Sequence, residues 1–159
     1  MTRVRFALAL LTAVIAAAPA SEAQQRPEDV VSWTARAEGG TRGTDARLVF
    51  TAALAPGWKM YALDSAVGRP LTVAVDALPR GVAPGTPRQR GAVRGHDPAF
   101  GAEASTFAGT ARVEQPLRVD RRAARGRHAV TGVVRYAVCD AQICLPPAAA
   151  SFRVTLRVR

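Results

Sequence analysis

Cys139 and Cys144 are the two cysteines of this chain, and they are the residues whose spacing most directly suggests chemistry. They lie in the segment AVCDAQICLPP at residues 137–147. An alternating apolar run precedes them, and Pro146 and Pro147 stiffen the exit, so the pair lies at a turn between two predicted strands. Such a turn can bring the two Cα atoms within the roughly 4.4–6.8 Å that a disulfide needs.

Four kinds of site are compatible with this pair. A structural disulfide is the first, although a loop this short stabilises by less than the ~3 kcal/mol expected of a 15-residue loop. A redox-active pair is the second, because a short exposed loop lets a thiolate exchange with a partner disulfide. A metal site is the third, with His96 and His128 joining the two thiolates if distant loops converge. A cysteine nucleophile with a histidine base is the fourth. The residues alone leave all four open.

The remaining sequence is dominated by alternation of apolar and polar residues. This period-two pattern predicts half-buried strands, and it is clearest at residues 46–54, 71–78, 129–138 and 151–159. Residues 30–38 and 109–119 are weaker strand candidates, and Pro116 predicts an edge or a broken strand in the second of them. Residues 79–105 are rich in Gly, Pro and Arg and predict a long connection. An all-β antiparallel sandwich accounts for this pattern.

The N-terminus has the pattern of a secretory signal peptide. Two early arginines are followed by an uncharged apolar stretch at residues 6–18, which is shorter than the roughly 20 residues of a membrane span. Small residues then precede a predicted cleavage site after Ala23. We therefore expect a signal peptide at residues 1–23 and a single exported domain at residues 24–159, with no other segment that crosses a bilayer.

The formal charge of the chain is +10, and Lys59 is its only lysine. Such an excess of arginine favours an anionic partner, for example nucleic acid or a membrane surface. The arginines are scattered over many segments, however, and few aromatic residues lie between them. Together with export, this predicts a solvated basic surface and no nucleic-acid partner.

Three blocks of the chain resemble the family of N-terminal periplasmic domains of DsbD-type disulfide interchange transporters. The blocks, in order, are VSWTARAEGGTRGTDARLVFTAALAPGWKMYAL, HDPAFGAEASTFAG and VRYAVCDAQICLPP. The third is the specific one, because it holds the paired cysteines followed by prolines. The first two correspond to the family's opening strands and to its loop that caps the active site.

The resemblance implies an immunoglobulin-like antiparallel β-sandwich with a redox role. By this match Cys139 and Cys144 are the redox pair, and Cys144 forms mixed disulfides with partners. Tyr61 corresponds to an aromatic residue near the pair, and Asp97 and Phe100 correspond to members of the cap loop. The cap departs from the family at two adjacent positions, where Pro98 replaces an acidic residue and Ala99 replaces an aromatic one.

The resemblance also implies partners. The domain would act as a protein-disulfide reductase or thiol-disulfide oxidoreductase component, without cofactor or metal, in disulfide isomerisation or cytochrome c maturation. Its electrons would come from a membrane thiol transporter of the CcdA or DsbD type and pass to thioredoxin-fold proteins of the periplasm. The alternative is a binding or structural β-sandwich module with an inert disulfide.

Overall fold

The computed structural model of the protein describes residues 24–159, and the predicted signal peptide at residues 1–23 lies outside this range. Strands make up nearly all of the regular secondary structure of these residues. None of their helices is long and apolar enough to span a membrane. Its elements in chain order are α1 (Pro27–Val30), β1 (Val31–Gly39), β2 (Asp45–Leu54), β3 (Lys59–Tyr61), β4 (Thr72–Ala77), β5 (Val82–Pro84), β6 (Arg88–Arg90), β7 (Val93–Asp97), β8 (Ala102–Ala108), β9 (Thr110–Val119), β10 (Gly126–Tyr136), β11 (Val138–Cys139) and β12 (Ala148–Val158).

These strands form three antiparallel sheets. Their orders are β1-β2-β9-β5 with β6 also paired to β9, β12-β10-β4, and β11-β3-β8-β7. The first two sheets contact each other through aromatic rings, with Phe50 of β2 against Phe152 of β12 at a centroid distance of 4.8 Å. Trp33 of β1 contacts Tyr136 of β10 in the same way at 5.4 Å. The expected all-β sandwich is confirmed.

The alternation of β2 shows why the sequence folds in this way. Leu48, Phe50, Ala52 and Leu54 all point into the core and are buried. Fully burying one large apolar side chain stabilises the fold by about 1.5–3 kcal/mol, so a single strand of this kind contributes substantially. The strands predicted from alternation are present as β1, β2, β4, β9, β10 and β12.

The expectation of a long connection at residues 79–105 is wrong. This segment contains β5, β6 and β7 and the beginning of β8. Most side chains of the first three strands are exposed, so their sequences show no apolar alternation. They are strands because their backbones pair with β8 and β9, which is a long-range effect that local pattern does not report.

Pro116 is also placed differently from the expectation, because it lies inside β9, with β2 on one side and β5 and β6 on the other. The Gly85 N–H donates to the Pro116 carbonyl at 2.9 Å, so the missing N–H of the proline faces Gly85 as well. The Gln115 side-chain amide donates to the Gly85 carbonyl at 2.5 Å and supplies the absent bond. A neighbouring glutamine thus allows a proline in an interior strand.

The third sheet has one face in the core and one face open. Met60, Phe107 and Val138 from three adjacent strands are fully buried on the inner face. Their neighbours in sequence point the other way, because successive side chains of a strand alternate between faces. This outer face carries Tyr61 and Cys139 and is the location of the candidate site.

Candidate functional site

The two cysteines form a disulfide at the tip of the third sheet. Their Cα atoms are 4.0 Å apart, and the residues face each other as an antiparallel bridge. Two backbone hydrogen bonds flank the pair, from Asp140 N–H to Ile143 O at 2.9 Å and from Leu145 N–H to Val138 O at 3.0 Å. The cysteines therefore occupy a non-hydrogen-bonded position, where facing residues of antiparallel strands approach most closely.

Asp140 holds the turn between the cysteines. Its Oδ1 atom accepts hydrogen bonds from the N–H groups of Ile143 and Gln142, both at 2.7 Å. These two bonds lower the pKa of Asp140. A side chain that caps its own turn in this way stabilises the chain reversal without help from the sulfurs.

The two sulfur-bearing residues differ in their exposure to solvent. Cys139 is only 9% exposed and packs against Tyr61, Ala104 and Ala137. Cys144 is exposed. A thiol from another molecule can therefore reach Cys144, whereas the protein covers Cys139.

Tyr61 connects the disulfide to the cap loop. Its hydroxyl donates to Oδ2 of Asp97 at 2.8 Å, and its oxygen lies 3.6 Å from Sγ of Cys139. A disulfide sulfur has no proton, so the hydroxyl is the only donor in this group and its single proton goes to Asp97. Burial, followed by the hydrogen bond and charge of Asp97, raises the pKa of Tyr61 to about 12. The hydroxyl therefore keeps its proton at neutral pH.

The Tyr61 ring is held from both sides. Phe100 packs against it edge-on, with ring centroids 6.1 Å apart and planes at 82°. Gly68 lies against the hydroxyl end of the ring, where a Cβ atom would come within 2.5 Å of a ring carbon. The φ of Gly68 is +73°, which also favours glycine. No larger residue fits at Gly68 without displacing Tyr61.

The loop that contains Gly68 is anchored to the sheets. The Ser65 hydroxyl donates to the Val67 carbonyl at 2.9 Å, and the Ser105 N–H of β8 donates to the Ser65 hydroxyl oxygen at 3.2 Å. The Leu63 N–H donates to Oε1 of Gln89 in β6 at 2.7 Å. This loop is therefore a fixed support for the tyrosine.

Asp97 also shapes the cap loop. Its Oδ1 atom accepts a hydrogen bond from the Ala99 N–H at 3.0 Å, and its backbone carbonyl accepts one from the Phe100 N–H at 3.2 Å. One carboxylate thus joins the turn of the loop to the Tyr61 hydroxyl. A movement of the loop and a change at Tyr61 are coupled through this side chain.

A cleft of about 760 Å³ lies over the outer face of the third sheet, beside the disulfide. Its floor carries the small side chains Ala104, Thr106 and Ala108 of β8, which leave space above the sheet. Three large hydrophobic side chains are exposed within residues 24–159: Val93 at 69%, Phe100 at 51% and Ile143 at 51%. Val93 and Ile143 line the cleft, and Phe100 packs against Tyr61 beside it. Exposed apolar groups around a cleft indicate an interaction site.

The residues predicted from sequence therefore converge, since Tyr61, Asp97 and both cysteines line one cleft and Phe100 packs against Tyr61. Lys59 faces Cys139 in the register of β3 and β11 and is exposed. Sequence reasoning missed Gly68, which shows no local signal. It also missed Ile143 and Val93, although an apolar residue between two cysteines was a visible signal for Ile143.

The two alternatives that require histidine need either a group of metal ligands or a hydrogen bond between a histidine and a cysteine. No group of three or more His, Cys, Asp and Glu side chains is arranged within residues 24–159 to hold a metal ion. His128 contacts the Ala124 carbonyl at 2.8 Å, far from the cysteine turn along β10. His96 lines the cleft together with both cysteines, but no hydrogen bond of the described residues joins it to either sulfur. The redox and the structural interpretations of the pair remain.

Comparison with known proteins gives a family and a fold. The family described as "Thiol:disulfide interchange protein DsbD, N-terminal" matches residues 26–156. The N-terminal periplasmic domain of ScsB from Proteus mirabilis is similar in structure, with a TM-score of 0.50 and 17% sequence identity over 84% of this chain. The match covers 49% of the ScsB chain, so this protein spans about half the length of that structure. No curated protein matches the chain.

Proposed function

Since the chain belongs to the family of N-terminal domains of the thiol:disulfide interchange protein DsbD, we propose that it carries electrons between other proteins through Cys139 and Cys144. The observation that carries this proposal is the unequal exposure of the two sulfur-bearing residues. Cys144 is open to a partner, and Cys139 is buried beside a hydroxyl group. A disulfide with no role beyond stability needs no such arrangement.

The exchange proceeds in two steps. In the reduced domain, the Cys144 thiolate attacks one sulfur of a partner disulfide, whose other sulfur leaves and takes up a proton. The Cys139 thiolate then attacks Sγ of Cys144, which breaks the intermolecular bond. The partner leaves as a dithiol, and the Cys139–Cys144 disulfide forms again. Two electrons have passed to the partner, and a thiolate of an electron donor reverses the process by attacking Cys144.

Tyr61 and Asp97 assist the buried sulfur. When a donor attacks Cys144, Cys139 leaves as a thiolate in a site that disfavours charge. The neutral Tyr61 hydroxyl lies 3.6 Å away and can turn from Asp97 to donate to this thiolate. A hydrogen bond to an ionised acceptor is stronger than one between neutral groups, so it makes Cys139 a better leaving group.

The partners are proteins that can bring one of their sulfur atoms into contact with Sγ of Cys144. The apolar side chains of Val93, Phe100 and Ile143 offer contacts around the cleft. Thioredoxin-fold proteins of the periplasm suit this role as acceptors, and a membrane thiol transporter of the CcdA or DsbD type suits it as donor. The proposal includes export, with a signal peptide cleaved after Ala23, and a role as a protein-disulfide reductase component in disulfide isomerisation or cytochrome c maturation.

A trapping experiment tests the roles of the two cysteines. The Cys139→Ala variant should accumulate a covalent complex with a thioredoxin-fold protein, because nothing resolves the mixed disulfide. The Cys144→Ala variant should not, because its remaining thiol is buried, and the double variant is the matched control. Equal trapping by both single variants would refute the assignment of roles.

A second measurement separates the redox role from an inert disulfide. The reduction potential of the wild-type pair should lie above about −300 mV, the value below which structural disulfides typically fall. If no variant traps a partner and the wild-type disulfide resists physiological reductants, the pair is structural and the domain is a binding or structural module.

A further inference from the structure

The end of the sandwich farthest from the cleft is strongly basic. We call it the arginine end, and it consists of Arg42, Arg80, Arg118, Arg121, Arg122, Arg125, Arg127, Arg157 and Arg159. These residues are scattered in sequence, but the fold gathers them at one end. We propose that the arginine end docks on the anionic headgroups of a phospholipid bilayer.

Backbone hydrogen bonds join the segments that bear these arginines. The Arg42 N–H donates to the Arg159 carbonyl at 3.0 Å, and the Gly43 N–H donates to the Val119 carbonyl at 2.9 Å. The Asp120 N–H donates to the Gly81 carbonyl at 2.8 Å, which brings in the loop of Arg80. The arginines are therefore borne by loops and strand ends that adjoin one another at this end of the sandwich.

The charge of this end is almost uncompensated. Its acidic side chains are Asp45, which faces Arg118 across β2 and β9, and Asp120, whose Oδ1 accepts from the Arg122 backbone N–H at 2.6 Å. Without Arg3, Arg5 and Glu22, the chain has 20 basic and 11 acidic residues and a net charge of +9. The arginine end, with nine arginines and two aspartates, accounts for +7 of this charge.

Fold stability does not explain this surface. Within the described part of the chain, none of the nine arginines is among the residues that form ion pairs. Arg127 and Arg157 even face each other directly across β10 and β12, and like charges opposite each other destabilise a sheet. An external anionic surface relieves this repulsion.

The composition of the arginine end favours a lipid surface over a protein or a nucleic acid. Within residues 24–159, the large exposed hydrophobic side chains are Val93, Phe100 and Ile143, and they lie around the cleft instead. A specific protein interface needs buried apolar or aromatic anchors. Binding to single-stranded nucleic acid relies on stacking of bases on aromatic rings, and the arginine end has no Phe, Tyr or Trp. Anionic headgroups require only positive charge within reach of the surface.

This placement also orients the disulfide. β10 runs from Gly126 at the arginine end to Tyr136 beside the cysteine turn, which is about 35 Å for a strand of this length. A domain docked by its arginine end holds Cys144 toward the aqueous phase. The proposal goes beyond electron transfer and does not depend on it.

Co-sedimentation of the purified protein with phospholipid vesicles tests the proposal. The wild type should bind vesicles with 30% phosphatidylglycerol in phosphatidylcholine and not vesicles of phosphatidylcholine alone, and 0.5 M NaCl should release it. Each basic residue near an anionic surface strengthens binding about fivefold, so the Arg121→Gln/Arg122→Gln/Arg125→Gln variant should bind roughly a hundredfold more weakly.

The matched control is Arg69→Gln/Arg88→Gln/Arg90→Gln, which removes the same charge from exposed positions outside the arginine end. It should bind within severalfold of the wild type, and equal melting temperatures verify that both variants are folded. Equal weakening by the two variants would show attraction by net charge alone and overturn the proposal. Absence of wild-type binding, or tighter wild-type binding to a DNA duplex than to anionic vesicles, would also overturn it.

Discussion

Removal of both cysteine thiols should leave the domain folded. The test proteins are the Cys139→Ala/Cys144→Ala variant and the reduced wild type. Electron transfer requires that the reduced protein keep its fold, whereas a structural disulfide exists to prevent unfolding. The stability of these two proteins therefore distinguishes the two interpretations of the pair.

The structure gives the size of the expected effect. For a sequence separation of 5, the loop-entropy relation gives the disulfide about 2 kcal/mol of stabilisation. Loss of one buried sulfur at Cys139 adds about 1 kcal/mol, similar to a buried methylene. The hydrogen bonds of the turn between Asp140 and Ile143 do not involve the sulfurs and remain. The expected loss is therefore about 3 kcal/mol or less.

Guanidinium unfolding measures this loss of stability. Tryptophan fluorescence is the signal, because Trp58 is buried in the hydrophobic core and Trp33 packs against that core. Phe50→Ala is a suitable comparison, because truncation of this fully buried ring should cost about 3–5 kcal/mol. A double cysteine variant that loses more than the Phe50 variant, or that fails to fold, would refute the argument and make the disulfide structural.

Three further predictions concern the surroundings of the disulfide. The first uses a protein whose other tyrosine is replaced by phenylalanine, so that the ultraviolet absorbance reports the titration of Tyr61, which should occur near pH 12. Asp97→Asn should lower this pKa, and an unchanged pKa in that variant would contradict the hydrogen bond. Because the folded pKa is raised from 10.0, the stability due to neutral Tyr61 is complete below about pH 10 and is lost as the pH rises toward 12. Phe100→Ala should speed iodoacetamide modification of the buried thiol in the reduced protein severalfold, measured by mass spectrometry, and equal rates would mean that the ring shields nothing. Gly68→Ala should destabilise the domain by about 1–3 kcal/mol more than Gly91→Ala in thermal unfolding, since both glycines have positive φ but only Gly68 meets the Tyr61 ring; equal losses would contradict the ring contact.

The strands that form the core could be predicted from the sequence. β2 and β12 lie with one face in the core and one toward solvent, so burial imposes a period of two on their residues. The turn between the cysteines could be predicted for a similar reason, because it lies between two such strands. These predictions succeeded where a local pattern and the tertiary environment agree.

The parts that could not be predicted depend on contacts distant in sequence. β7 has mostly exposed side chains and is a strand only because β8 pairs with it. Pro116 is tolerated in an interior strand because Gln115 replaces one hydrogen bond, which no propensity scale contains. The contact between Tyr61 and Asp97 joins residues 36 positions apart, and the resemblance to a family suggested only that each residue lies near the cysteines or their cap loop. The residues of the arginine end are likewise scattered in sequence, and only the folded arrangement of the loops shows that they lie at one end.

The backbone pairing around the cysteines has a consequence for oxidative damage. Peroxide converts an exposed thiolate such as that of Cys144 first to a sulfenic acid, and further oxidation to a sulfinic acid is irreversible in most proteins. The hydrogen-bonded turn keeps Cys139 opposite Cys144 after the disulfide opens, so its thiol can condense with the sulfenic acid and release water. The product is the ordinary disulfide. We therefore expect peroxide to return the pair to a form that an electron donor can reduce again.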